Sequence, residues 1–412
     1  MRIAVVSYHS SPLDQPGKGD SGGMNVYVRR LASALARLGV QCDVLTRRSS
    51  TSQADVVTVE PNFRVFNVTA GDPSPLPKEE LLEYVPNFTD AALAVLTKAD
   101  DERVSVVHAN YWLSGIVGHS LKHELDVPLF TSFHTLERVK QVGRERPDDG
   151  VDSRVRIINE QRAMSCSDAI IVSCEPEARW VSELYRVQPA QVRTVPLGVD
   201  TAFFTPGTKE MARRAIGLPL GSKIMLAIGR IQPLKGFTLA VEALGALRSQ
   251  FDLHLVIVGG PSGIEGVEEY ERLVTIAREL GVSDRLHLVD PQAHELLSSY
   301  YRACDVVVIP SRTESFGLVA LEAAASGRPV VASAVGGLVS LVRHRRSGLL
   351  VPERTVEDFR DALSEILASD ERASLMGAGG LKVSSGFTWK ESARSFLDVV
   401  ASLSSHELLR CG

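Results

Sequence analysis

The chain has 412 residues, of which 44% are hydrophobic, enough for two cores in domains of about 200 residues each. A net charge of −5, with both signs spread throughout, lacks the basic balance that nucleic acid or an anionic membrane surface would select. No apolar run reaches the roughly 18 residues that a membrane span requires.

The start, Met1-Arg-Ile-Ala-Val-Val-Ser7, runs directly into a strand without the architecture of a leader peptide, so a cytoplasmic protein is expected. Strand-like runs then alternate with helical stretches, the pattern of an α/β fold with mostly parallel sheets. Predicted strands in the first half are Ile3–Ser7, Cys42–Thr46, Arg64–Val68, Val104–Val107, Leu129–Thr131, Ala169–Val172 and Val192–Val195. Helices are predicted at Asn25–Leu38, Lys78–Lys98 and Val155–Met164. A second series runs through Lys223–Ile228, His254–Val258, Leu286–Leu288, Val306–Ile309 and Val330–Ala332, and a last helix covers Trp389–Ser404. The Pro- and Gly-rich stretch Pro196–Gly207 reads as a linker between two doubly wound sheets. The expected division is residues 1–198, a linker at 199–207, a second domain at 208–385, and a terminal helix at 386–412 returning to the first domain. Ligands of such sheets sit at the carboxyl ends of the strands, so a cleft lined by loops of both is expected. The five cysteines have neither metal-like nor disulfide-like spacing, and core packing is their expected role.

Gly17-Lys-Gly-Asp-Ser-Gly22 fits the spacing of a dinucleotide fingerprint, with Asp43 about 20 residues further on. That fingerprint turns directly off the first strand, whereas here Tyr8–Pro16 intervene, so a nicotinamide oxidoreductase is disfavoured. What remains is Gly22-Gly23 ahead of an amphipathic helix, where bare backbone lets an anion approach a helix N-terminus. In the second half, Arg230 and Lys235 lie on one loop after a strand, flanked by Gly229 and Gly236, and can clamp a diphosphate. Val258-Gly-Gly-Pro-Ser-Gly263 suits a ligand edge or a plain turn, and Asp290-Pro-Gln292 suits a nucleobase. The stretch Ser311–Val330 follows an apolar strand and opens a helix at about Gly317, flanked by Glu314 and Glu322. A helix N-terminus beside carboxylates suits a phosphorylated, hydroxyl-rich ligand. His134 follows a strand end and should point toward ligand, whereas His108 reads as structural.

These residues resemble the retaining, nucleotide-sugar-dependent glycosyltransferases of two-domain GT-B architecture, which carry two glutamates eight residues apart, here Glu314 and Glu322. The likeness covers nearly the whole chain. It is carried by His9-Ser-Ser-Pro12, Gly19-Asp-Ser-Gly-Gly-Met-Asn-Val-Tyr27, Tyr111-Trp-Leu-Ser-Gly115, Gly229-Arg-Ile-Gln-Pro-Leu-Lys235, Gly259-Gly-Pro-Ser-Gly263 and Glu314-Ser-Phe-Gly317. The resemblance implies two Rossmann-like domains and donor contacts at Gly22, Gly23, Asn25, Gly229, Gln292, Ser315, Phe316, Gly317, Leu318 and Glu322. It implies catalytic roles for His134, Arg230, Lys235 and Glu314. Arg230 and Lys235 would stabilise the departing diphosphate in place of a metal ion; no cofactor or metal is expected, and the nucleotide sugar is a substrate. A homodimer is expected on the same ground.

Within the family the likeness is greatest to the mycothiol-pathway N-acetylglucosaminyltransferases. That implies transfer of N-acetylglucosamine from its uridine diphosphate to inositol 1-phosphate, with His9, Lys78, Asn110, Tyr111, Thr135 and Arg156 at the acceptor. Departures occur at Ala70–Pro75, Asn110, Gln292 and Val339. They leave open an antibiotic-pathway paralogue of lincosamide type, joining an unusual sugar from a guanosine diphosphate donor to a low-molecular-weight thiol. A reading of another class, a non-catalytic nucleotide-sugar sensor, predicts loss of Arg230, Lys235 or Glu314, and all three are present.

Overall fold

A computed structural model of the protein describes residues 1–77, 80–98, 102–143 and 150–403, together with 408, 409 and 411. Its chain forms two compact units, and the division is not linear in sequence. Unit 1 comprises Met1–Asp14, Met24–Pro196 and Trp389–Gly412; unit 2 comprises Gln15–Gly23 and Leu197–Thr388.

Unit 1 is built on strands β1 (Arg2–Val6), β2 (Gln41–Arg47), β3 (Val56–Glu60), β4 (Phe63–Val68), β5 (Val104–Asn110), β6 (Leu129–Ser132), β7 (Ala169–Val172) and β8 (Val192–Thr194). They lie in the order β3-β4-β2-β1-β5-β6-β7-β8. All described pairings are parallel except β3 with β4. The central strands are buried on both faces, which is why they read as unbroken apolar runs. β3 was not foreseen: it is an exposed antiparallel edge strand, Val56-Val-Thr-Val-Glu60, without that apolar signature.

Asp43 on β2 shows why the fingerprint spacing misleads. Its carboxylate is fully buried and accepts from Arg2 Nε at 2.6 Å and from Arg64 Nε at 2.8 Å, so it ties β1, β2 and β4 together. Helix Trp112–Leu125 packs closely on the sheet and on helix Val151–Cys166 because Gly115 and Gly118 lack side chains. A Cβ on Gly118 would come within 2.7 Å of Leu129 and 2.9 Å of Ala109; one on Gly115 would come within 2.9 Å of Ala163. The last helix, Trp389–Leu403, lays Phe396 against His108 (ring centroids 4.9 Å apart) and Phe130 (5.5 Å), and Trp389 near Tyr27.

Unit 2 carries β9 (Lys223–Ile228), β10 (Leu253–Val258), β11 (Leu286–Val289), β12 (Val306–Ile309), β13 (Val330–Ser333) and β14 (Gly348–Val351). Their order is β11-β10-β9-β12-β13-β14, all parallel. β14, only four residues long, was also not foreseen. The sheet core is drawn from Met225, Leu255, Ile257, Val306, Val308 and Val331, among others.

Two of the cysteines depart from expectation. Cys42, Cys174 and Cys304 are buried and outside any disulfide, as core residues should be. Cys166 and Cys411, 245 residues apart, are joined as a disulfide with Cα atoms 5.2 Å apart. Linear spacing carries no trace of a pairing made by the fold. Among the described residues no helix is long and apolar enough to cross a membrane.

Candidate functional site

In unit 2 the strand order reverses around β9, and the predicted donor residues gather on the loops at this end of the sheet. Gly229 and Arg230 follow β9 directly, and a 3-10 turn, Pro233–Lys235, brings Lys235 to the start of helix Phe237–Leu247. Lys235 Nζ donates to Glu314 Oε2 at 2.8 Å, so the expected cation and the expected sugar-binding carboxylate meet. Arg230 donates to Ser262 Oγ at 3.2 Å and lies 3.7 Å from the Asp20 carboxylate. The glycine-rich loop Gln15–Gly23 joins this group: a Cβ on Gly22 would be 3.4 Å from Arg230 Nε, and one on Gly23 would be 3.5 Å from Leu318. Gln15 Nε2 donates to the Pro291 carbonyl at 2.6 Å.

Ser315 and Phe316 lead into helix Leu318–Ala325, whose N-cap is Gly317 at φ 102° with no side-chain cap. This left-handed backbone requires glycine, and a Cβ there would press on Leu338 Cδ2 at 2.8 Å. The positive end of the helix dipole thus opens among Glu314, Lys235 and the loop at Gly22-Gly23. Glu322, one helical turn in, is buried; Oε1 lies 2.7 Å from His294 Nε2 and Oε2 accepts from Tyr301 at 2.7 Å. A carboxylate has roughly four acceptor positions, so two protein donors leave capacity for ligand hydroxyls. Gln292 follows β11, as predicted for the base edge, and its amide donates to the Asp290 carbonyl at 2.9 Å.

In unit 1 the candidate residues lie after β1, β5 and β6, next to the reversal at β1. They form one connected group. The His9 ring stacks on Tyr111 with centroids 4.4 Å apart, and the Arg156 guanidinium lies 4.9 Å from the Tyr111 ring centre. Arg156 Nη2 donates to the Thr135 carbonyl at 2.8 Å and to its hydroxyl at 3.1 Å. His134 Nε2 donates to Asn110 Oδ1 at 2.9 Å. Tyr111 (φ 78°) and His134 (φ 62°) both occupy the left-handed region, unusual for large side chains and typical of residues held for a purpose. Burial, with His108 and His9 nearby, pushes the His134 imidazole down to about 3, so the ring is neutral at pH 7.

Arg156 is buried against two carboxylates, Glu160 at 2.8 Å and Glu137 at 3.3 Å. Asn25 is also buried, and its amide donates to Ser10 Oγ and the Ser11 carbonyl, so it positions the His9–Ser11 loop. His108 sits in the core with Nε2 2.9 Å from Ser132 Oγ, as its structural reading requires. Lys78 lies outside the described residues. Sequence reasoning missed Asp20 and Ser262 beside Arg230, His294 and Tyr301 on Glu322, and Glu137 and Glu160 around Arg156. Asp20 and Ser262 stand inside motifs already singled out, and Glu160 lies four residues after Arg156 on the same helix; His294, Tyr301 and Glu137 are joined to their partners only by the fold.

Comparison with known proteins agrees with both units. Residues 21–203 match the family described as Glycosyltransferase Family 4, and residues 208–383 match Glycosyl transferases group 1. The chain is 41% identical over 403 residues to the D-inositol 3-phosphate glycosyltransferase of Actinosynnema mirum, covering 96% of each chain. It is 41% identical over 418 residues to the protein of the same name from Corynebacterium aurimucosum, covering 100% of this chain and 98% of that one. Among solved structures it is similar to the sucrose-phosphate synthase of Thermosynechococcus elongatus, with a TM-score of 0.89, 33% identity, and 98% and 99% of the two chains covered.

Proposed function

The chain belongs to the GT-B glycosyltransferases of group 1 and family 4, and on that premise we propose that it moves N-acetylglucosamine from uridine diphosphate to an inositol phosphate. It is a retaining hexosyltransferase with a nucleotide-sugar donor. The acceptor assignment is carried by one observation: His9, Tyr111, Thr135 and Arg156 form a contact network in unit 1, and Asn110, next to Tyr111 in the chain, is held by His134, next to Thr135. Relatives that match over the full length are named for inositol phosphate, and these residues are the ones expected to hold it.

The chemistry follows from the groups present. The bond from the anomeric carbon to the diphosphate breaks, and the acceptor oxygen forms its bond on the same face of an oxocarbenium-like sugar. The acceptor's proton passes to the departing phosphate oxygen, so no dedicated base is needed. Lys235, Arg230 and the N-terminus of helix Leu318–Ala325 stabilise the charge that develops on the diphosphate, while Glu314 and His134 hold the sugar. Neutral His134 contributes a hydrogen bond without adding a charge next to the forming cation. Glu322, oriented by His294 and Tyr301, takes the ribose hydroxyls.

One observation favours a second reading. The Arg156 charge is already balanced by Glu137 and Glu160, which suits a neutral acceptor better than a phosphate monoester. That acceptor would be the low-molecular-weight thiol, glycosylated at sulfur from a guanosine diphosphate donor. Thermal shifts with UDP, GDP and ADP, followed by turnover with inositol 1-phosphate, separate the two. Selective stabilisation by UDP with turnover of inositol 1-phosphate is expected. Selective stabilisation by GDP with no transfer to inositol 1-phosphate overturns the first reading and leaves the second.

A further inference from the structure

Away from both candidate sites, at the far end of helix Trp112–Leu125, four metal-binding side chains converge. His119 and His123 are four residues apart and so share one helix face. Cys166 ends helix Val151–Cys166, and Cys411 belongs to the C-terminal tail. One ligand atom from each lies within 4.8 Å of all the others. His123 Nε2 is 3.2 Å from Cys411 Sγ and 3.6 Å from Cys166 Sγ, and the two imidazoles are 5.1 Å apart between centroids. His119 Nδ1 is buried and has no hydrogen-bond partner among the described residues.

We propose that, with its disulfide reduced, the chain binds one zinc ion through His119, His123, Cys166 and Cys411. Two histidines at this helical spacing with two thiolates make the nitrogen and sulfur donor set that zinc prefers. Metal–ligand bonds of about 2.0–2.3 Å to a common centre place tetrahedral ligand atoms about 3.3–3.8 Å apart, the scale of the contacts from His123 to the two cysteines. The surroundings are built to hold the cluster. Lys122 donates to the Cys166 carbonyl at 3.0 Å and to Asp168 at 2.8 Å, and Asp168 accepts from the Leu409 amide at 2.8 Å, docking the tail two residues before Cys411. His123 is exposed, which gives the ion a route in from solvent. Opening the disulfide takes two electrons from a reductant, either a thiol pair that becomes a disulfide and gives up its two protons, or a phosphine that becomes its oxide with water supplying the oxygen and both protons; loading zinc then displaces one proton from each cysteine thiol. The site fixes the C-terminal tail to unit 1 and takes no part in transfer.

The test is a cobalt titration of the full-length chain held reduced by a phosphine, followed by displacement with zinc. One equivalent of cobalt with a thiolate-to-metal charge-transfer band is expected, replaced stoichiometrically by zinc. The variants H123A and C411S, altered at an exposed helix position and on the tail, should bind at least about 10-fold more weakly. Their melting temperatures without metal should stay near the reduced parent's, which separates ligand loss from unfolding. Absence of stoichiometric binding in the reduced parent, or undiminished binding in H123A, overturns the site and leaves a disulfide alone.

Discussion

Lys235 meets Glu314 near the protein surface, and each is partly exposed. Pairs of that kind add roughly 0–1 kcal/mol to stability, so the proposed catalytic role can be tested with little disturbance of the fold. We predict that Lys235→Ala lowers turnover by about 100-fold or more while shifting the melting temperature little, read from initial rates and thermal denaturation of one preparation. Near-normal turnover would remove the diphosphate clamp. Asp43 presents the opposite case, since Arg2 and Arg64 lose a buried partner when it is removed. Asp43→Ala should cost about 3–5 kcal/mol in urea unfolding, against no loss of nucleotide affinity per folded molecule. Burial pushes the His108 imidazole down to about 3, and its folded form stays neutral where the unfolded chain takes up a proton. Stability from this group is therefore complete above the unfolded value, about 6.5, and declines as pH falls from there toward 3. A His108→Asn variant, though less stable at pH 7, should lose less melting temperature than the parent between pH 7 and pH 5. An equal or steeper loss would contradict this.

Helix Leu318–Ala325 depends on the left-handed residue that starts it. Replacing Gly317 with alanine forces a strained φ and a close contact with Leu338, a cost of about 1–3 kcal/mol. The expected outcome is weaker binding of the nucleoside diphosphate by calorimetry, with unit 1 unchanged. This element was legible in the sequence because each of its signals is local: an apolar strand, a break, a glycine, and carboxylates at fixed spacing. The loop at Gly229–Lys235 was legible for the same reason. β3 was not, since it is partly exposed and lacks the buried apolar run that marked its neighbours; β14 is buried but opens on Gly348, which reads as a turn. Glu322 could be named, but His294 and Tyr301 reach it from another helix and turn, and no spacing rule connects them. Arg156 was named for the acceptor group without its carboxylates: Glu160, four residues on along the same helix, could have been paired by spacing, whereas Glu137 meets it only after helix Val151–Cys166 packs.

At the scale of the whole molecule, the contributions of sequence segments to the two units are interleaved. Gln15–Gly23 groups with the second sheet, and Trp389–Leu403 with the first. The last helix covers His108 and Phe130 with Phe396, so a fragment of residues 1–196 would leave core side chains open. Such a fragment should bind a hydrophobic dye, and a peptide of residues 387–403 should suppress that binding; a compact, dye-free fragment would refute the requirement. There is a consequence for birth on the ribosome. The amino-terminal sheet emerges first, but its final covering helix is translated only after Leu197–Thr388. At roughly 5–20 residues per second, the first sheet waits about ten seconds or longer with an apolar face unsealed. The chain is committed to finishing its first half last, and that waiting interval is where chaperones would be expected to act on it.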